Sequence, residues 1–405
     1  MHVATSLQRA PENQTGAAAR TIVAILLSIY NGEKYLQEQL DSIVAQTHRD
    51  WVLLWRDDGS SDGGRRIMQR FAEAIGHDRC IELADTQRHV GATRSFLTLL
   101  NAAAAYELVS FCDQDDTWHA EKLQRAVDQI ETVPATVPAL YCARKIVVDA
   151  ELRPIRESPR FRRAPRFADT LSGNIASGST MVLNRAAVGW INRLRPPEPS
   201  FHDWWCYIGV AAAGGRIIAD NTPVMRYRQH GGNAIGMASS ILGRACRAWR
   251  RGPCAFVQQF DAHVTALERQ RHLLPQAARV TLDAIAPATR SGMLARFALV
   301  CAGKLRRQSW LGTASLAVWL CAGQQGGRTP LHRSAEAFRR VGWPSSPTRL
   351  SLPHECINAG PATEYNGIAG ATCVVRYDEP QFQPTLDGVR ARVLGYAWHP
   401  VPGKH

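Results

Sequence analysis

The sequence predicts an α/β protein: a mostly parallel sheet with flanking helices, followed by a helical C-terminal segment. Three observations carry this. Short apolar runs alternate with amphipathic stretches over the first third of the chain, which is the pattern of strands joined by crossover helices. Acidic clusters stand directly after two of those runs, where open parallel sheets bind their ligands. Beyond residue 237 apolar residues recur at helical spacing instead.

Residues 22–28 read as a buried parallel strand. The run has the length of a signal-peptide core, but it lacks a small-residue cleavage site and ends in the turn Tyr30-Asn31-Gly32. A helix follows over 34–46, with Leu36, Leu40, Ile43 and Val44 on one face. Then come strand 51–55, helix 63–75, a short strand at 81–84, helix 94–104, strand 108–112 and helix 120–130. Residues 141–224 mix short strands and helices around a basic stretch, 153–166. Further on, Phe256, Phe260, Val264 and Leu267 sit at helical spacing and read as packing. Trp310–Ala322 is apolar but shorter than the roughly 20 residues of a spanning helix. Lys304, Arg306 and Arg307 precede it, and Arg244, Arg247, Arg250 and Arg251 surround Trp249, so peripheral membrane association is an expectation. From 324 the composition shifts to Gly, Pro and Ser, with strand-like pieces at 373–377 and 389–396. The expected organisation is a loose leader (1–20), a sheet domain (21–237), a helical segment with membrane-associating character (238–325) and a tail (326–405).

The chain has 405 residues, 45% of them apolar and 20% charged, with a formal net charge of +13. This is a globular composition that favours anionic partners: nucleic acid, acidic lipid or phosphorylated small molecules. Ten cysteines include no Cys-x-x-Cys pair, which argues against a zinc ribbon or thioredoxin-like site and for reduced, buried thiols.

Two clusters carry chemistry. In Asp57-Asp58-Gly59-Ser60-Ser61-Asp62, Ser60, Ser61 or Asp62 can cap the helix that follows. Capping does not explain two adjacent carboxylates at a strand end, which repel unless a partner is present. A carboxylate there can accept hydrogen bonds from a nucleobase ring N–H or from ribose hydroxyls. Asp113-Gln114-Asp115-Asp116 places three carboxylates after the buried run Leu108–Cys112. On an extended segment Asp113 and Asp115 point the same way and can share one cation. Hard oxygen donors select Mg²⁺ or Mn²⁺, which bridge diphosphate oxygens.

Residues 21–236 resemble a family 2 glycosyltransferase. The motifs that carry the resemblance are Ser28-Ile29-Tyr30-Asn31-Gly32, Arg56-Asp57-Asp58-Gly59-Ser60-Ser61-Asp62-Gly63, Phe111-Cys112-Asp113-Gln114-Asp115-Asp116-Thr117-Trp118, Ser177-Gly178-Ser179-Thr180-Met181, His202-Asp203-Trp204-Trp205 and Tyr227-Arg228-Gln229-His230-Gly231-Gly232-Asn233. They look most like the rhamnosyltransferase-like branch, which builds cell-surface polysaccharides. The resemblance implies the A-type fold, a Rossmann-like nucleotide-binding sheet. It implies that Tyr30, Asn31, Asp57 or Asp58, and Asp113 meet the nucleotide-sugar. It also implies that Asp113 and Asp115, with His230, hold Mg²⁺ or Mn²⁺, and that Asp203 is the catalytic base. The setting of Asp203 suits a base, because His202 and Trp204-Trp205 form an aromatic, partly desolvated wall, and desolvation raises a carboxylate pKa. Asp203 also stands where a helix N-cap would.

The motif Gln-x-x-Arg-Trp of processive members is not in the chain, so the resemblance implies single additions, and a single in-line displacement by the acceptor hydroxyl implies inversion. It further implies a nucleotide diphosphate-sugar donor, a saccharide or lipid-linked acceptor, no nucleic acid, and a cytoplasmic site of action at the inner face of the membrane. Two rival readings are a basic module that binds nucleic acid or membrane without catalysis, and a nucleotidyltransferase. The acidic clusters oppose the first, and Asn31-Gly32 is too little of a phosphate loop for the second.

Overall fold

A computed structural model describes residues 21–83, 89–198, 200–230, 241–322, 362–366 and 372–376; the side chains of 241–252 and of the last two segments lie outside the description. The elements run β1 (Val23–Ile29), α1 (Glu33–Val44), β2 (Trp51–Asp57), α2 (Gly64–Ile75), β3 (Cys80–Glu82), α3 (Ala92–Ala102), β4 (Leu108–Cys112), β5 (Thr117–Trp118), α4 (Lys122–Ile130), β6 (Ala139–Val148), β7 (Pro154–Glu157), α5 (Phe167–Leu171), β8 (Val182–Asn184), α6 (Arg185–Ile191), α7 (His202–Ala212) and β9 (Arg216–Arg228). Then follow α8 (Ile241–Arg269), α9 (Gln276–Ser291), α10 (Met293–Cys301) and α11 (Trp310–Ala322), with a separate strand pair, β10 (Ala362–Asn366) and β11 (Thr372–Arg376).

The sheet order is β3-β2-β1-β4-β8-β6-β9-β5, with β7 on β6. The first four strands are parallel, as the alternating pattern predicts. Strand β8 enters antiparallel to both β4 and β6, which brings β6 and β9 back into the direction of β4. The carboxyl ends of β1, β2, β4, β6 and β9 therefore share one edge, and β8 and α7 begin there. The order reverses between β1 and β4, the switch point where such sheets open a ligand crevice. The register sets Asp57 level with Ile29, and Cys112 level with Leu27. This is the Rossmann-like A-type sheet that the resemblance implied.

Period-two alternation builds a core on each face. Ala24 and Leu26 of β1 and Val109 and Phe111 of β4 face α3, α6 and α7. Val23, Ile25 and Leu27 face α1, α2 and α4, as do Leu108 and Cys112. The helical segment does not stand apart: Phe260, Val264 and Leu267 of α8, and Leu282 and Ile285 of α9, join the first of these cores.

The chain divides into two compact units, 1–334 and 335–405. Within the second, β10 and β11 form an antiparallel pair, and β11 matches the strand-like piece at 373–377. The leader, the piece at 389–396 and the Arg244–Arg251 side chains lie outside the described residues. Among the described cysteines, Cys80, Cys112, Cys142 and Cys206 are buried free thiols, whereas Cys254 and Cys301 are exposed. No helix among the described residues is long and apolar enough to cross a membrane.

Candidate active site

The switch point is held shut by one side chain. Gln114, after β4, accepts the Tyr30 N–H on Oε1 at 2.8 Å and donates from Nε2 to the Tyr30 carbonyl at 2.9 Å. This two-bond clamp ties the end of β4 to the end of β1. It needs a glycine at 32, because a Cβ there would run into the Gln114 amide. Asn31 sits at φ 48°, the left-handed conformation that Asn tolerates. Its Oδ1 accepts the Ser61 N–H at 2.8 Å, and its own N–H donates to Ser60 Oγ at 3.0 Å. Asn31 thereby fixes the loop after β2, and its side-chain oxygen is occupied in doing so. Tyr30 stacks on His89, ring centroids 4.5 Å apart, and stands half-exposed at the crevice mouth.

The two carboxylates after β2 have separate jobs. Asp58 is buried and its oxygens are fully used. Oδ1 accepts from Arg56 at 2.5 Å and from Val90 N–H at 2.9 Å, and Oδ2 accepts from Gly91 N–H at 2.8 Å beside His89 Nδ1 at 2.9 Å. It anchors the chain entering α3. Asp57 accepts both the N–H and the hydroxyl of Ser60 on Oδ1, at 2.9 and 2.7 Å. Its Oδ2 has the looser neighbour, Arg65 at 3.7 Å. Of the pair, Asp57 is the one with acceptor capacity for a ligand. The helix start expected at 63 lies at Gly64, where Asp62 Oδ1 accepts the Gly64 N–H at 2.9 Å and Oδ2 the Glu33 N–H at 2.8 Å. One carboxylate thus ties the starts of α1 and α2 together.

The acidic cluster after β4 is not extended: Gln114 and Asp115 form a turn. Asp115 Oδ2 lies 2.8 Å from His230 Nε2, beyond the end of β9, so the structure brings together two of the residues expected to hold a cation. Arg228, 1% exposed, stitches the same turn to β9. Its N–H donates to Asp116 Oδ1 at 3.0 Å, and its guanidinium donates to the Asp115 carbonyl at 3.0 Å and to Glu38 at 2.5 Å. Burial, and then the charge of Asp115, push Asp113 up to about 7. Burial with Asp115 and Asp113 pushes Asp116 well above the carboxylate range. Asp116 Oδ2 is buried without a hydrogen-bond partner.

Two buried lysines answer this charge. Lys122 Nζ donates to Ser110 Oγ at 3.0 Å and lies over the Trp118 ring at 3.4 Å; burial lowers it to about 7. Lys145 Nζ donates to Ser177 Oγ at 2.7 Å and lies over the Tyr227 ring at 3.7 Å. Burial lowers Lys145 too, against the charges of Asp116, Asp113 and Asp203. The β6–β9 pairing slips on either side of Arg144, next to Lys145, and such irregularities re-aim side chains.

Asp203 lies in the first turn of α7, one residue inside the helix rather than at its cap, which is Phe201. There the helix dipole favours a carboxylate. Its oxygens accept the Trp204 N–H at 2.6 Å and the Gly178 N–H at 3.1 Å. His202 packs between Phe96 and Phe111, at 4.3 and 4.9 Å between ring centroids, and Trp204 donates to the Thr170 carbonyl at 2.7 Å. The aromatic wall is therefore real, and Asp203 is held half-buried against it.

Asp113, Asp115 and His230 thus share the carboxyl edge of the sheet with Asp203, while Tyr30 and Asp57 stand at the neighbouring ends of β1 and β2. Asp58 is taken up by the scaffold, and Asn31 gives it its side-chain oxygen. Sequence reasoning missed Lys122 and Lys145 as charge partners. The readable signal was a lysine inside the otherwise buried run Ala139–Val148.

With the sheet and its acidic, lysine-countered edge described, comparison with known proteins gives the family. The family described as Glycosyl transferase family 2 matches residues 24–189. An uncharacterized glycosyltransferase of Nostoc sp. is 34% identical over 227 residues, 54% of this chain and 68% of that one. The dTDP-rhamnosyl transferase RfbG of Shigella flexneri is 26% identical over 246 residues, 56% of this chain and 81% of that one. Residues 1–349 of S. aureus TarS, solved with UDP-GlcNAc, align over 74% of this chain and 89% of that one, at a TM-score of 0.45 and 15% identity. The chain belongs to the family 2 glycosyltransferases. That membership sets aside the non-catalytic basic module and the nucleotidyltransferase.

Proposed function

We propose that the protein transfers a sugar, with rhamnose the first donor to test, from a nucleotide diphosphate to a hydroxyl of a cell-surface polysaccharide or lipid-linked acceptor. The reaction inverts the anomeric carbon and takes place at the cytoplasmic face of the membrane. The observation that carries this reading is the convergence of Asp113, Asp115, Asp116 and Asp203 with Lys145 at one sheet edge. Similarity to the rhamnosyl transferase of Shigella flexneri supports the donor choice.

Asp57 reads the base or ribose, and Tyr30 lines the mouth. Asp203 takes the proton from the acceptor hydroxyl as that oxygen bonds to the anomeric carbon; the bond from that carbon to the diphosphate breaks, and the nucleoside diphosphate leaves. Lys145 supplies positive charge beside both the donor-side carboxylates and Asp203.

The residues fit a divalent ion in part. Asp115 and His230 meet, Asp113 is adjacent, and their oxygen and imidazole donors suit Mg²⁺ or Mn²⁺. Among the described residues no three such side chains are arranged around one point, so diphosphate and water would complete the sphere, as is usual for Mg²⁺. When bound, the ion neutralises charge on the departing diphosphate. The test is hydrolysis and transfer measured over a panel of nucleotide-sugars, with Mn²⁺, with Mg²⁺ and with chelator. Release of nucleoside diphosphate from one donor, lost with chelator, supports the reading. Inertness toward every donor, or full activity in chelator, overturns the transfer or the metal respectively.

A further inference from the structure

Helices α10 and α11 pack against each other at the end of the first unit, and they leave large apolar side chains in water. Met293, Leu294 and Phe297 on α10 are 41%, 76% and 41% exposed; Trp310, Leu311 and Val318 on α11 are 76%, 63% and 57% exposed. The spacing 294, 297 and 311, 318 follows a helical stripe. α11 carries no charged residue, yet only Leu316 and Leu320 are buried. Scattered surface leucines need no explanation, but large apolar side chains gathered on two packed helices mark an interaction surface.

Charge says what covers it. Residues 284–335 contain neither Asp nor Glu. Arg290 precedes α10 and Lys304 follows it, both exposed, so the apolar stripe is bracketed by cations. Of the three cations expected to flank α11, only Lys304 faces out fully. Arg306 is half-buried with its Nε enclosed, and Arg307 donates to the Ser172 carbonyl and stacks over Phe256 at 5.2 Å. A tryptophan at the start of an apolar helix, on a stretch of chain without acidic residues and beside exposed cations, matches the boundary of an anionic bilayer.

We infer that the exposed face of α10 and α11 is a membrane-docking surface that lies in the headgroup region of an anionic leaflet. The inference rests on the lipid-linked acceptor proposed above. It gives that reading a place on the molecule, and docking would hold the enzyme on the leaflet from which such an acceptor is drawn.

The test uses the full chain and the double variant Leu294→Glu with Trp310→Glu, both at exposed positions that are not among the proposed catalytic or binding groups. Sedimentation is measured with vesicles of phosphatidylglycerol in phosphatidylcholine and with phosphatidylcholine alone. The protein should bind the anionic vesicles, more weakly at high salt, and the double variant should lose at least ~100-fold in partitioning. Thermal unfolding and gel filtration of both proteins complete the set. Equal vesicle binding by the variant overturns the inference. So does a large drop in melting temperature, which would mean that the chain's own residues cover the face. A dimer dissociated by the double substitution, without vesicle binding, would assign the face to a second copy instead. Nucleotide-sugar hydrolysis on the same samples reads the transfer reaction independently, so loss of docking and loss of the proposed function are told apart.

Discussion

Gly178→Ala tests whether the turn before β8 positions the proposed base. Gly178 donates its N–H to Asp203 Oδ2 at 3.1 Å, and a Cβ built on it would lie 2.8 Å from His202 Nε2 and 3.3 Å from Asp203 Cβ. An unstrained contact needs roughly 3.5 Å, so the start of α7 must retreat by about 0.7 Å or the turn must shift the other way. His202 cannot easily yield, since Phe96 and Phe111 hold its ring. A displacement near 1 Å costs on the order of 100-fold in rate when geometry is critical, so kcat should fall roughly tenfold to a hundredfold. Overpacking of this kind costs about 1–3 kcal/mol of stability, and the fold should survive. Donor affinity should change little, because the added Cβ meets His202 and Asp203 rather than Asp57 or Tyr30. The assay is transfer kinetics beside nucleotide binding by calorimetry on one preparation. A variant with wild-type kcat would refute the positioning argument, and weakened donor binding at unchanged kcat would move Asp203 to the donor site.

Three further substitutions separate the remaining roles. Asp203→Asn should lower kcat by about 10²–10⁴-fold with donor affinity nearly unchanged, as expected for loss of a general base; near-normal turnover leaves Asp116 as the next candidate. Asp115→Ala should abolish transfer and most metal-dependent nucleotide affinity, measured by titration with and without Mn²⁺, and unchanged metal dependence would remove it from the ion site. Asp58→Ala should cost about 3–5 kcal/mol in denaturant unfolding, because it removes the carboxylate partner of buried Arg56 and the acceptor of two backbone N–H groups, whereas Asp57→Asn should spare stability and weaken donor binding; the reverse pattern would exchange their assignments.

The parallel half of the fold was legible because each strand is a short apolar run closed by a turn, and the sheet rules then leave few arrangements. Bounds moved by only a residue or two, as at β1 and α1. The long pairing of β6 with β9 was not legible. Its partners lie some eighty residues apart, and its slips depend on contacts rather than on local pattern. The same holds within the site. Adjacent carboxylates advertise themselves, so the clusters holding Asp57, Asp113 and Asp115 stood out, whereas Asp203, a single acid between His202 and Trp204, was singled out through the family motif. Which of Asp57 and Asp58 keeps acceptor capacity depends on Arg56, Val90 and Gly91 arriving from elsewhere, and no spacing encodes that. Asp113 and Asp115 were expected to align through an extended backbone, but a turn carries them, and His230 meets Asp115 where β9 pairs with β5, Thr117 against Arg226.

The lysines explain why so much acid can be packed at a sheet edge. Asp113 rises to about 7 and Lys122 falls to about 7, so burial disfavours the charged form of each, and near neutral pH neither is fully ionised. Lys145 is likewise lowered, while Asp116 is held high. For the carboxylates, ionisation above the unfolded value near 4 costs stability that grows as pH rises toward 7. For Lys122, stability is regained only as pH rises from about 7 toward 10.5. A diphosphate with a divalent ion is the kind of ligand that relieves both, since a cation restores the carboxylates and an anion restores the lysines. The edge is therefore poorly satisfied in its own charges and complementary to a ligand carrying both signs, which is the arrangement a nucleotide diphosphate-sugar and its ion would require of a transferase.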